Sequence, residues 1–221
     1  MLSNNKYNEW PLGRKRRKVT TGVTLLLDMS GSMSSRRDET IWEVNRYLDN
    51  LKRDGTFGQR YRVSVVTFND DIDILISNQD IRDVGDLEHS EYRPQGWTRL
   101  LDAVGQTLRS YRASGDRQLF VVVTDGEENR SREFGLQEIR DLIDRKRSED
   151  FQFVFLGSGP GSWQTGNRMG FSYSVATDWS DPRNSENIYK SLYTATNTMS
   201  SGGTIQASLF NTGSTQAKKS Q

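Results

Sequence analysis

The chain has 221 residues, 33% of them hydrophobic and 27% charged, enough for one sizeable α/β domain with a buried core beneath a very polar surface. It has no cysteine and a single histidine, His89, which excludes disulfides and sulfur-ligated zinc and leaves a serine-hydrolase triad or an imidazole zinc site without material. The formal charge of +1 hides an asymmetry: residues 1–18 carry six Lys/Arg against Glu9, a balance of +5, which leaves −4 for the remainder.

Residues 1–18 read as an arm, with Trp10-Pro11 as an anchor against the body. The start, Met1-Leu2-Ser3-Asn4-Asn5-Lys6, lacks the apolar core of a secretory signal, so a cytoplasmic protein is expected. The basic excess sits in Arg14-Lys15-Arg16-Arg17-Lys18. Such a block can hold phosphates or nucleic acid, act as a nuclear address, or solubilise the entry to the first strand. No aromatic interleaving accompanies it, which favours the solvated arm.

A strand is expected over residues 19–27, where the apolar run suits burial on both faces. A helix over 40–53 repeats Ile41, Val44, Leu48 and Leu51 on one side, and Gly55 ends it. Residues 61–68 form a second strand, and Asn69-Asp70-Asp71 is a turn into a short edge strand over 72–76. Those three acids and amides lack the spaced ligands and terminal Glu of a calcium loop. Residues 77–97 are a polar connection with one short helix near 81–87, long enough to be functional. His89, between Glu88 and Ser90-Glu91, is an exposed loop residue in it.

A helix over 98–111 buries Leu101, Val104, Leu108 and Tyr111 and exits at Gly115. The strand over 118–124 contains the run 119–123, far too short to span a bilayer, so no membrane association is expected. After Gly126-Glu127-Glu128-Asn129 a helix over 132–146 carries Leu136, Ile139, Leu142 and Ile143 on one face. Glu127 and Glu128 could be ligands, but acidic side chains also suit the start of a helix. A fifth strand covers 151–156, and the turn Gly157-Ser158-Gly159-Pro160-Gly161 lacks the signatures of a nucleotide loop. A short helix over 162–169, a strand over 171–176 and a helix over 185–199 complete the body. Beyond Ser200 the chain is polar, with Ile205, Leu209 and Phe210 as anchors, and is expected to be a flexible tail over 201–221. The domain division is therefore 1–18, 19–200 and 201–221. Alternating strands and helices imply a parallel sheet between two helix layers.

The chemistry concentrates at strand ends. Asp28-Met29-Ser30-Gly31-Ser32 follows the first strand and offers one anionic and two neutral oxygens within five residues. Such a loop can cap a helix, or it can serve a hard cation. Thr98 stands at the mouth of a helix, and Asp125 ends the strand in Thr124-Asp125-Gly126.

With these residues the sequence resembles the von Willebrand factor A (vWA) domain family over roughly residues 19–200. That family's metal-ion-dependent adhesion site uses an Asp-x-Ser-x-Ser loop, a distant Thr and an Asp in a Thr-Asp-Gly turn, matched here by Asp28, Ser30, Ser32, Thr98 and Asp125. The resemblance implies a Rossmann-like, doubly wound, mostly parallel six-stranded sheet of order 3-2-1-4-5-6, with one antiparallel edge strand and helices on both faces. It implies that Asp28 and Asp125 end adjacent central strands beside the crevice at the topological switch.

An all-oxygen set points to Mg²⁺ or Mn²⁺. The resemblance further implies metal-dependent capture of an Asp or Glu carboxylate from a protein partner. Loop residues around Met33, Gly96-Trp97 and residues 127–129 would then set specificity. A Mg²⁺-dependent hydrolase is the enzymatic alternative. It is disfavoured because Ser30 stands where an aspartyl phosphatase loop would carry a second Asp, leaving no base beside the ion.

Overall fold

The computed structural model describes residues 19–56, 58–111, 115–125, 128, 130–158, 161–211 and 216–219. The basic block Arg14–Lys18 and the Trp10-Pro11 anchor lie outside them.

Strand β1 is Thr20–Asp28, β2 Arg60–Phe68, β3 Ile72–Asp80, β4 Arg117–Thr124, β5 Phe151–Ser158 and β6 Tyr173–Thr177. These six lie side by side in the order 3-2-1-4-5-6 and are parallel except for β3, which runs antiparallel to β2 at the edge. The helices are α1 Arg37–Thr56, α2 Leu100–Ser110, α3 Leu136–Arg147, α4 Ser162–Met169 and α5 Pro182–Ser200.

The period-two geometry of a strand divides the core in two. Val23, Leu25 and Leu27 of β1 join Leu119, Val121 and Val123 of β4 on one face, under Val44, Leu48 and Leu51 of α1 and Ile188 and Leu192 of α5. Leu26, Phe120 and Val122 point the other way, against Leu100 and Val104 of α2, Ile139 and Ile143 of α3 and Met169 of α4. Each such side chain, buried essentially completely, contributes about 1.5–3 kcal/mol relative to exposure. Gly105 lets α2 approach its neighbour: a Cβ there would lie 2.4 Å from the Phe134 ring.

The sheet has one strand more than the sequence pattern suggested. β7, Gln216–Lys219, pairs antiparallel with β6 and forms the second edge. Ile205 and Phe210 are buried in the core ahead of it, and Tyr173 donates its hydroxyl to the Ile205 carbonyl at 2.7 Å. The segment expected to be a flexible tail thus contains ordered elements.

Helix starts also differ from the apolar periodicity. A 3-10 turn over Gly31–Arg36 runs directly into α1, so helical backbone begins well before residue 40. α2 begins at Leu100 with Thr98 still in the loop. α3 begins only at Leu136, where the Glu138 side chain accepts the Gly135 N–H at 3.1 Å. α5 begins at Pro182 behind Asp181, whose side chain accepts from the Arg183 N–H. β3 runs to Asp80, and the short helix after it is a single turn, Ile81–Asp83.

Candidate functional site

β1 and β4 are adjacent and parallel, with Leu27 level with Val123, so their last residues deliver side chains to the same end of the sheet. There the Thr124 hydroxyl donates to Asp28 Oδ2, and the Ser30 N–H donates to Asp28 Oδ1 at 2.7 Å. Ser30 and Ser32 hydroxyls are 3.1 Å apart, and Ser32 donates to Asp125 Oδ1 at 2.6 Å. The side chains of Ser30, Ser32 and Asp125 are therefore joined in one hydrogen-bonded chain, to which Asp28 is tied through the Ser30 N–H.

Two backbone systems hold this loop. From the β2 side, the Met29 N–H donates to the Phe68 carbonyl at 2.7 Å. From the connection before α2, the Gln95 N–H donates to the Met29 carbonyl at 2.8 Å, the Gly31 N–H donates to the Gly96 carbonyl at 3.1 Å, and Tyr92 donates its hydroxyl to the Asp28 carbonyl at 2.5 Å. Gly96 has φ +74°, and a Cβ on it would collide with Asp70 at 2.2 Å, so glycine is required for this approach. Thr98 is buried in the same connection, between Gly96 and Arg99, whose N–H donates to the Asn69 carbonyl at 3.3 Å.

Burial pushes the Asp28 carboxyl up to about 6, against the lowering effect of its hydrogen bonds from Thr124 and Ser30, with the nearby Asp125 charge adding to the rise. Among the described residues no three His, Asp or Glu side chains converge as ligands. The set consists of two carboxylates and hydroxyls, oxygen atoms only, and it fits a hard divalent cation and no soft one.

Met33 is fully buried in the core and cannot touch a partner. Trp97 is 53% exposed with the Arg130 guanidinium 4.7 Å above its ring. Glu127 and Asn129 lie outside the described residues. Glu128 serves a helix start, but that of α2: it accepts the Leu101 N–H at 2.9 Å, together with the Ser131 N–H and hydroxyl at 2.6 Å each. The acidic turn is turn chemistry, with Asn69 Oδ1 accepting the Asp71 N–H at 2.9 Å.

One organising residue escaped the sequence reading. Asp102, fully buried on α2, accepts the N–H groups of Arg132, Glu133 and Phe134 at 2.9, 2.9 and 3.0 Å and pairs with Arg99 at 2.8 Å. It ties the segment leading from Asp125 to α3 against the loop that carries Thr98. A carboxylate in the first turn of a helix was visible; that it would turn inward was not.

The family model for the von Willebrand factor type A domain matches residues 23–201. The chain belongs to the von Willebrand factor type A domain family. Among solved structures, this vWA domain is similar to the PilB minor pilin from Streptococcus sanguinis, with 13% identity over 81% of this chain and 61% of that one and a TM-score of 0.59. It is also similar to proximal thread matrix protein 1 from the mussel byssus, with 14% identity over 90% of this chain and 47% of that one, TM-score 0.56. A further structure of that byssus protein carries a zinc-occupied MIDAS motif and covers the same shares at 14% identity, TM-score 0.50. Identities this low establish the fold. The vWA chain spans about half the length of the first structures it matches, 47% and 42% of theirs. A search of curated proteins returned no match.

Proposed function

We propose that this vWA domain is a metal-dependent protein-interaction module. In this reading Asp28, Ser30, Ser32, Thr98 and Asp125 hold one Mg²⁺ or Mn²⁺, and the protein recognises a partner through an Asp or Glu carboxylate. The observation that carries it is the hydrogen-bonded chain from Ser30 through Ser32 to Asp125 beside a buried Asp28. When bound, the ion would supply an electrophilic coordination position that only two carboxylates offset.

The chain's own residues do the rest. Thr124 and the Ser30 N–H fix both oxygens of Asp28, so that carboxylate is oriented before any ion arrives. Ser32 orients Asp125 from the far side. Trp97, exposed at the rim with its N–H on Asp70 Oδ2 at 3.1 Å, is the aromatic contact of the sort that dominates interfaces.

The test is affinity capture with the protein in Mg²⁺ against EDTA, followed by identification of what is retained only with the ion. A retained set identical in both buffers would overturn the reading. Two other readings give different outcomes. Hydrolysis of a phosphate ester that vanishes with Asp28→Ala would mark a hydrolase. Nucleic-acid binding that is steeply salt-dependent and lost on deleting residues 1–18 would mark the basic arm as the functional element.

A further inference from the structure

Beside the candidate site lies an open groove of about 650 Å³ whose walls include Ser34, Arg37, His89, Arg93 and Gln95. Its lining residues are bonded to the Asp28–Ser32 loop. Ser34 donates its hydroxyl to the Gly31 carbonyl at 2.7 Å, the Gln95 N–H donates to the Met29 carbonyl at 2.8 Å, and the Arg93 N–H rests on the Met29 sulfur at 3.2 Å.

Two guanidiniums and no carboxylate line the groove. Arg37 spends its donors on two neutral carbonyls, Nε on Tyr92 at 2.9 Å and Nη2 on His89 at 2.5 Å. Arg93 is exposed, and among the described residues no carboxylate pairs with either guanidinium. The acids nearby do not line the groove: Asp38 faces His89 Nδ1 at 3.5 Å, and Glu91 accepts the Glu88 N–H at 2.8 Å. Pinning Arg37 on carbonyls pre-orients its fork and leaves its remaining N–H groups for an incoming anion.

We propose that this groove receives a second acidic side chain of the same partner. The ligand is then a protein segment with two carboxylates, one for the Asp28–Asp125 site and one for Arg93 and Arg37. This rests on the carboxylate-capture reading and adds to it the charge pattern of the partner. In an extended segment, side chains two residues apart lie on one face about 7 Å from each other. A segment of this kind can present both acids toward the same surface. A free anion would satisfy the arginines equally, but a groove continuous with the site loop favours a ligand already anchored there, because the second contact is then intramolecular.

The probes are capped, otherwise neutral Gly/Ser peptides containing either one Asp, or that Asp followed at one to four residues by a Glu. Their binding is measured in Mg²⁺ and in EDTA, to the wild-type chain and to Arg93→Ala. In Mg²⁺ the best two-acid peptide should bind wild type about tenfold more tightly than the one-acid peptide, as for a charge-assisted contact. Arg93→Ala should bring that ratio close to one while leaving Mn²⁺ affinity and one-acid binding unchanged. Mg²⁺-dependent binding of both peptides with the same ratio in wild type and variant overturns the groove proposal alone. Binding of neither peptide in a Mg²⁺-dependent way overturns carboxylate capture and the groove with it. Equal gains with and without Mg²⁺ would mark an independent anion site and likewise overturn the proposal as stated.

Discussion

The Ser32 hydroxyl donates to Asp125 Oδ1 at 2.6 Å across a sequence separation of 93 residues. This one bond joins the loop after β1 to the end of β4 and makes a single site of two distant motifs. Asp125 is only partly buried and ends a strand without entering the core. Asp125→Ala should therefore leave the circular dichroism spectrum and fold intact, lower Mg²⁺ or Mn²⁺ affinity at least tenfold in calorimetric titration, and abolish Mg²⁺-dependent capture. An unfolded variant would show that this carboxylate has a structural role.

Asp28 makes the site sensitive to pH. Its folded-state carboxyl titrates near 6 against an ordinary value of 3.8, so the metal-free fold holds a proton there more tightly than the unfolded chain. That contribution, at most about 3 kcal/mol, is fully present below pH 4 and is lost as pH rises through 6. A divalent ion needs the charged form and acts in the opposite sense. The rise in Tm caused by millimolar Mg²⁺ should be small at pH 5 and large at pH 7.5. A rise independent of pH across that range would place the ion elsewhere.

Asp102 predicts a purely structural loss. Burial works against its charge, but the Arg132 N–H, the Arg99 guanidinium and the N–H groups of Glu133 and Phe134 outweigh it and hold the carboxyl below the usual range. Because the folded value is lowered, its contribution is present above the unfolded pKa and disappears only in strong acid. Asp102→Ala leaves three backbone N–H groups without their acceptor and the Arg99 guanidinium with only the Asp70 carbonyl at 2.8 Å and Glu133 at 3.4 Å, and should cost about 3–5 kcal/mol in urea denaturation. A loss below about 1 kcal/mol would mean that water replaces the carboxylate freely.

Asp102 also marks where sequence reading ended. Strands β1, β4 and β5 were legible because runs such as Val121-Val122-Val123 are apolar on both faces, and the positions of Asp28 and Asp125 at strand ends followed from them. β7 was not: Gln216-Ala217-Lys218-Lys219 has no apolar alternation, and the strand is specified by backbone pairing with β6 that only the folded sheet provides. The start of α1 was hidden because Ser30 to Arg36 reads as loop chemistry, while the 3-10 turn winds it on without a break. Asp102 and Glu128 stand in helix-start contexts that account for a surface carboxylate equally well. Their distant partners lie 27 to 32 residues away, across a segment whose course no local pattern states.

Thr98 separates carboxylate capture from the alternatives most sharply. It is 3% exposed, and in the proposed ligand set Thr98→Asp would add a negative charge to those of Asp28 and Asp125. Without an ion three carboxylates repel one another in a poorly solvated place, and the variant should melt below wild type in EDTA. With Mg²⁺ or Mn²⁺ the added charge should preserve or tighten ion binding, restoring Tm by a larger increment than in wild type. The same charge offsets the electrophilic character a partner carboxylate needs, so partner affinity should fall while metal affinity holds or rises. Both affinities are measured on one protein, by calorimetry for the ion and by capture in saturating Mg²⁺ for the partner. If the partner binds at wild-type strength with the ion bound, its carboxylate is not what the metal recognises.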